Sequence, residues 1–111
     1  MAPEISFHCE VEKSGDDEHG NKLTTLKCHG RLIAGNSGQI MELVKPLIPL
    51  GGRIVIDLGD VSYLDSSGLG ALVGLKASAM KQGFCILELT NMTPRILDLL
   101  RITNLMQLFS S

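Results

Sequence analysis

Aromatic side chains are nearly missing from this sequence. Among its 111 residues there is no Trp, one Tyr and three Phe, so a folded core must be built mainly from aliphatic side chains. Hydrophobic residues make up 44% of the chain, which is enough to supply one modest core. The length fits a single domain, and we predict one domain over residues 1–111.

The sequence also lacks an excess of charge and a long hydrophobic run. Its formal net charge is −2, and acidic and basic residues are mixed along the chain. Nucleic-acid binding would require clustered Lys and Arg, and a membrane span would require about 20 apolar residues. No signal peptide is visible at the start. We expect a cytoplasmic protein with no nucleic-acid partner and no membrane insertion.

Cysteine is scarce, and its spacing fits neither a disulfide framework nor a C-x-x-C pair. Cys9, Cys28 and Cys85 are widely separated, and free cysteines are usually small core residues. His8 and His29 adjoin two of them, which raises the alternative of a zinc site between paired strands. Strand alternation would put the cysteines and histidines on opposite faces, where they cannot share one tetrahedral ion. We therefore predict no metal site.

The N-terminal third alternates between apolar and polar residues, which indicates a β-hairpin. In the strand at 5–12, the inward residues are Ile5, Phe7, Cys9 and Val11. The second strand spans 23–30, and the polar residues 14–22 between the strands form a loop. A short connection at 30–35 leads to a helix from about Ser37, which Pro46 should kink or end. The apolar stripe of this helix is Ile40, Leu43, Val44 and Leu47.

Two further strand-helix units are predicted after this helix. The expected elements are a central strand at 53–58, a helix ending near 82–83, a strand at 84–89, a helix at 91–102 and an apolar tail at 105–109 that docks onto the sheet. The apolar run of the central strand suggests burial on both faces, and Thr93 with Pro94 suits a helix start. The predicted fold class is α/β: an antiparallel hairpin leads into right-handed β-α-β crossovers, forming one mixed sheet with helices mainly on one face.

The junction between the central strand and the next helix carries the most informative motif, Tyr63-Leu64-Asp65-Ser66-Ser67-Gly68-Leu69-Gly70. Unpaired N–H groups and the helix dipole favour negative charge at such a junction. Its three polar residues can each serve as a simple helix cap. Its glycines, and Gly74 one turn later, each cost about 0.5–1 kcal/mol relative to Ala in a helix. That cost suggests a close backbone approach, either to the sheet or to a partner.

Catalysis at Ser66 is weakly supported by the sequence. The residue is not in a G-x-S-x-G elbow, and the chain's histidines all lie in the predicted hairpin: His8, His19 and His29. The glycines match neither a phosphate-binding loop nor a dinucleotide-binding motif, because Val73 stands at the third glycine position. A small hydrolase that uses Ser66 and one histidine stays as an alternative. We predict no enzyme, no catalytic residue and no cofactor.

The motif and the strand before it closely resemble the STAS domains of anti-sigma factor antagonists. The resemblance covers nearly the whole chain and is most specific over 54–58, Val61 and 64–70. It implies a STAS fold, with Ser66 as the phosphoacceptor. The implied partner is an anti-sigma factor that is also a serine kinase, binds ATP and is released when Ser66 is phosphorylated. The implied partner-binding residues are Asp65, Ser66, Ser67, Gly68, Leu69, Gly70 and Arg31.

One segment departs from the family pattern. Many antagonists carry Gly-Glu-Leu-Asp after the second strand, whereas this chain has Gly30-Arg31-Leu32-Ile33. If the turn lies close to Ser66, Arg31 can pair with a phosphate there. The altered turn motivates a second hypothesis, a non-switching STAS scaffold subunit of a signalling or lipid-transport complex, in which Ser66 is only a cap. The oligomeric state is not predicted.

Overall fold

A computed structural model describes residues 7–16 and 20–109, and within them it shows one mixed sheet covered by helices. The strands are β1 (Phe7–Asp16), β2 (Lys22–Leu32), β3 (Gly52–Leu64) and β4 (Cys85–Thr90), and they lie in that order across the sheet. β1 and β2 are antiparallel, whereas β2, β3 and β4 are parallel. The helices are α1 (Ser37–Val44), α2 (Ser66–Gln82), α3 (Pro94–Ile102) and α4 (Met106–Phe109). The predicted fold class and element order are confirmed.

The core lies between one face of the sheet and the helices. Along β3 and β4, buried side chains alternate with more exposed ones. The buried residues are Ile54, Ile56 and Leu58 in β3, and Cys85, Leu87 and Leu89 in β4. Facing them are helical residues Ile40, Val44, Leu72, Leu75, Ile96 and Leu100. On the other face of β3, Arg53, Val55 and Asp57 are only half-buried. The predicted burial of the central strand on both faces is therefore wrong, because the helices pack on one face only.

The hairpin is longer than predicted and less buried at its edge. β1 continues to Asp16, and β2 runs from Lys22 to Leu32, so part of the expected loop and connection is strand. Phe7 is buried, but Val11, predicted to face inward, is 44% exposed. Since β1 is an edge strand, it has a neighbour on one side only, and its later residues extend away from the core. Ile5 of the predicted strand lies outside the described residues.

α1 ends before its first proline. The α-helix stops at Val44 and residues 45–50 continue as a 3-10 helix, as expected from Pro46, which lacks a backbone N–H. Ile40 and Val44 are buried, but Leu43 is 39% exposed, contrary to the predicted stripe. With 3.6 residues per turn, Leu43 lies roughly 80° from the midline between those two buried residues, and it falls at the edge of the packed face.

The helix caps in the C-terminal half of the chain follow the predictions. Gly83 ends α2 with a φ of 84°, and the Ile96 N–H donates to Thr93 Oγ1 at 3.3 Å, at the start of α3. The apolar tail forms α4, which packs mainly on α2 and α3, whereas docking onto the sheet was expected. Within residues 7–16 and 20–109, no helix combines the length and apolar character that crossing a membrane requires.

Candidate functional site

Asp65 connects the end of β3 to the start of α2. Its Oδ1 accepts a hydrogen bond from the Gly68 N–H at 2.8 Å, and its Oδ2 accepts one from the Ala34 N–H at 3.0 Å. Its own N–H donates to the Leu32 carbonyl at 3.3 Å. The backbone N–H donors, Gly68 first, hold the pKa of the Asp65 carboxyl below its usual range. Asp65 is therefore a fixed negative charge that caps α2 and ties it to the turn between β2 and α1.

Ser66 and Ser67 form the first turn of α2, and both side chains are exposed. The sequence left the cap open among three polar residues, and the structure assigns it to Asp65. Within the part of the chain that the structure describes, neither serine hydroxyl makes a hydrogen bond. The Ser66 hydroxyl thus faces solvent at the positive end of the helix dipole, next to the Asp65 carboxylate.

The three glycines of this region play different parts. A Cβ at Gly68 would overlap the Leu32 carbonyl oxygen and lie 2.9 Å from Leu64 Cδ1, so a side chain does not fit there. At Gly70 and Gly74, an added Cβ would meet nothing within 4 Å among the described residues. Close packing against the sheet is therefore confirmed for Gly68 alone, and its neighbour is the end of β2. Gly70 leaves an open surface on the first turns of α2.

Leu69 lies beneath this surface rather than on it. Its side chain is only 6% exposed and belongs to the core. Of the predicted partner-binding residues in the motif, the exposed or half-exposed ones are Asp65, Ser66, Ser67 and Gly70. We call these four residues the motif surface. Gly68 and Leu69 support it by fixing the start of α2 against the sheet.

Arg31 lies near the end of β2, one residue before Leu32, whose carbonyl accepts from the Asp65 N–H. It is exposed, and it pairs in register with Tyr63 of β3. Its Cζ lies 5.0 Å from the centre of the Tyr63 ring, which is a cation–π contact. The following turn is fixed by Asn36, whose Nδ2 donates to the Arg31 carbonyl at 2.9 Å and whose Oδ1 accepts from the Ile33 N–H. The structure thus places the unusual Arg31 turn directly beside the start of α2.

An open groove adjoins the motif between the end of β3 and α3. It is lined by Tyr63, Leu64, Arg95, Asp98, Leu99 and Ile102. Ile102 is 78% exposed there, although it is apolar. Sequence reasoning missed this groove, because α3 lies far from the motif in the chain and only the fold brings them together. Its signal in the sequence was Ile102, an apolar residue off the buried stripe of α3.

The described histidines are engaged on the sheet face opposite the helices. His29 Nδ1 lies 2.6 Å from Asp60 Oδ2, and its Nε2 lies 3.2 Å from Glu10 Oε1. These hydrogen bonds, that to Asp60 first, raise the pKa of His29. The His8 ring stacks on His29 with centroids 4.8 Å apart. This cluster was not predicted. It pairs His29 with two carboxylates on the sheet face away from α2. His19 lies outside the described residues.

The geometry confirms the predicted alternation of cysteines and histidines across the hairpin. Cys9 and Cys28 meet on the core side of the hairpin, while His8 and His29 meet on the other side. Over the described ranges, no group of three or more His, Cys, Asp or Glu residues is arranged to hold a metal ion.

Comparison with known proteins gives one consistent family. A family model described as the STAS domain matches residues 10–110. The anti-sigma-B factor antagonist of Bacillus subtilis (strain 168) is 41% identical over 76 residues, which are 68% of this chain and 69% of that protein.

Solved structures show the same fold at lower identity. An anti-sigma factor antagonist from Mycobacterium paratuberculosis superposes with a TM-score of 0.74 at 18% identity, covering 98% of this chain and 87% of that one. Bacillus SpoIIAA superposes with TM-scores of 0.67 in its unphosphorylated form and 0.65 in its phosphorylated form, at 20% identity. The match covers 90% of this chain and 82% and 85% of those chains.

Proposed function

This chain belongs to the STAS domain family, and on that basis we propose that it is an anti-sigma factor antagonist controlled at Ser66. The unphosphorylated chain binds an anti-sigma factor that is also a serine kinase. That kinase binds ATP and phosphorylates Ser66, and the complex then dissociates. The chain acts in the cytoplasm by binding rather than by catalysis, and it needs no cofactor of its own. The observation that carries the proposal is the exposed Ser66 side chain at the start of α2.

The position of Ser66 supports a switch that changes binding and leaves the fold intact. A phosphoserine carries about −1.5 to −2 charges at pH 7. At a helix N-terminus, such a charge is favourable by ~0.3–1 kcal/mol. In a protein interface beside the fixed charge of Asp65, an uncompensated phosphate should cost about 2–5 kcal/mol, which weakens affinity tens- to thousands-fold.

The surroundings of Ser66 support a protein partner. Leu64 lines the groove and directly precedes the motif surface in the chain. An added Cβ at Gly70 would meet open space. A partner backbone can therefore approach the first turns of α2 closely. Arg31 is exposed near the end of β2, so we infer that the partner presents acidic or polar groups to it. That charge distinguishes the proposed partner from one that recognises an acidic turn.

Phosphate mapping with matched serine variants tests the proposal. The chain is incubated with the cognate anti-sigma factor kinase and ATP, and the phosphate is located by mass spectrometry. Ser67→Ala is the control, because Ser67 is the adjacent exposed hydroxyl in the same helical turn. We expect phosphate on the unaltered chain and on Ser67→Ala, and none on Ser66→Ala. Phosphate retained by Ser66→Ala would contradict the assignment of Ser66.

Arg31 also favours a second candidate, a non-switching STAS scaffold subunit of a signalling or lipid-transport complex. Its cation lies over the Tyr63 ring, in a segment where many antagonists have an acidic turn. In this case, Ser66→Asp and Ser66→Ala bind the partner equally, and Ser66 carries no phosphate in cells. Preferential loss of binding in Ser66→Asp favours the antagonist instead.

A further inference from the structure

Two of the three free thiols meet at the N-terminal hairpin. Cys9 in β1 and Cys28 in β2 are directly opposite each other in the antiparallel register. Their Sγ atoms are 2.9 Å apart. The third thiol, Cys85, lies in β4 at the far edge of the sheet. The pair belongs to neither the motif surface nor the groove, so its chemistry is independent of the proposed function.

The strand register is compatible with a disulfide between Cys9 and Cys28. Opposite residues in an antiparallel pair have Cα atoms about 4.5 or 5.5 Å apart, and both values lie within the range of about 4.4–6.8 Å that disulfides span. A sulfur–sulfur bond of about 2.05 Å is shorter than the present separation by about 0.9 Å. Side-chain rotations would have to close that difference while the strand register stays as it is.

The two thiols differ in burial and in pKa, and this difference determines which of them attacks first in thiol–disulfide exchange. Cys28 is 1% exposed, whereas Cys9 is half-buried on the edge strand. The two thiols share a hydrogen bond in which either sulfur can donate. This contact lowers the pKa of Cys9 and raises that of Cys28, which burial raises further. Because the thiolate is the nucleophile in thiol–disulfide exchange, Cys9 is the attacking residue.

We propose that Cys9 and Cys28 are a reversible redox site that forms an intramolecular disulfide with a low-molecular-weight disulfide such as oxidised glutathione. The Cys9 thiolate attacks one glutathione sulfur, forming a mixed disulfide and releasing one glutathione thiolate. Cys28 then loses its proton, attacks the Cys9 sulfur and releases the second glutathione. The protein gives up two electrons and two protons, and one oxidised glutathione becomes two reduced glutathiones.

The Cys9–Cys28 disulfide would join the edge strand β1 covalently to β2. Beyond Cys9, every residue of β1 is exposed, so this strand gains little from side-chain burial along most of its length. The two cysteines are 19 positions apart, and a disulfide closing a loop of this size should raise the Tm by about 10 °C. Because the disulfide stabilises the folded chain, folding should favour formation of the disulfide by the same free energy. The equilibrium constant for thiol–disulfide exchange should therefore be about 100-fold larger in the folded chain than in the denatured chain.

Equilibration in mixtures of reduced and oxidised glutathione tests this site. The chain and its Cys85→Ser variant, which keeps both hairpin cysteines, are equilibrated folded and in concentrated guanidinium chloride, then acid-quenched and peptide-mapped. We expect a linked Cys9–Cys28 peptide in both proteins, an exchange constant about 100-fold larger in the folded state and a Tm that returns to its reduced value with dithiothreitol. The linked peptide should disappear in Cys9→Ser.

Three results would overturn the proposal. They are an exchange constant that is equal in the folded and denatured chain, a linkage that involves Cys85 or a second molecule, and a glutathione adduct on Cys9 that never progresses to the linked peptide. The first would mean that folding does not bring the thiols together. The second and third would mean that Cys28 does not react with the Cys9 sulfur.

Discussion

Single residues of the motif divide into those that build the start of α2 and those that face outward. Gly68 and Gly70 show the division most simply, because a methyl group has no room at the first and open space at the second. We predict that Gly68→Ala lowers the free energy of unfolding by about 1–3 kcal/mol through overpacking. Gly70→Ala should raise it by about 0.5–1 kcal/mol through better helix propensity. Urea unfolding of both variants measures the two effects.

The same pair of variants distinguishes stability from binding. If a partner backbone approaches α2 at Gly70, the stabilised Gly70→Ala chain should bind the anti-sigma factor more weakly than the unaltered chain. Gly74→Ala, one turn later and also open, is the matched control for helix propensity. Equal stability of the Gly68→Ala and Gly70→Ala chains would contradict the packing assigned to Gly68.

Asp65 makes its contribution to stability depend on pH. Its carboxyl has a lowered pKa in the folded chain, because N–H donors from Gly68 and then Ala34 stabilise the charged form. The stabilisation is therefore fully present above the ordinary Asp pKa of about 3.9 and is lost as the pH falls through the lowered value. We expect the stability difference between the unaltered chain and Asp65→Asn to narrow below about pH 4. A difference that is constant down to pH 2 would contradict this assignment.

At the scale of secondary-structure elements, the N-terminus of α2 determines what phosphorylation does to the fold. The phosphate on Ser66 would lie in the first helical turn, where the dipole favours negative charge. We predict that the phosphorylated chain keeps its Tm within a few degrees of the unphosphorylated chain, because the gain is at most about 1 kcal/mol. Calorimetry of the two forms checks this, and a collapse of the Tm on phosphorylation would contradict it.

The open face of the sheet makes a second pH-dependent contribution to the stability of the fold. His29 of β2 bonds to Asp60 of β3 and Glu10 of β1, and these bonds raise its pKa. The stabilisation is fully present below the ordinary His pKa of about 6.5 and is lost as the pH rises through the raised value. Stability should therefore fall as the pH rises above about 6.5, and it should fall more in the unaltered chain than in Asp60→Asn. Parallel pH profiles of the two proteins would argue against the network.

Element order and helix ends were largely readable from the sequence, because they depend on local chemistry. Pro46, Thr93 and Gly83 each act at the position where the sequence places them. Exposure was less readable, because it depends on which elements pack together. Val11 alternates like an inward residue, but it lies in an edge strand and is exposed. The paired thiols depended on the register of β1 against β2, which the hydrophobic pattern alone did not specify.

At the scale of the whole molecule, the sheet brings three distant segments to one surface. The end of β2 with Arg31, the motif surface and the groove against α3 adjoin one another through the end of β3. The sequence predicted the motif and, through the resemblance to the family, named Arg31 as a partner-binding residue. It did not predict the groove, because that requires knowing how α3 packs beside β3. The proposed interface is therefore larger than the motif that pointed to it.

The affinity of the phosphorylated chain for its anti-sigma factor tests the central claim most directly. Isothermal titration should compare the unphosphorylated chain with chain phosphorylated only at Ser66, and with Ser67→Asp as a control charge one residue away. We predict that phosphate on Ser66 weakens binding at least tenfold, with Ser67→Asp affected less. Equal affinities for the phosphorylated and unphosphorylated chains would contradict a switch at Ser66.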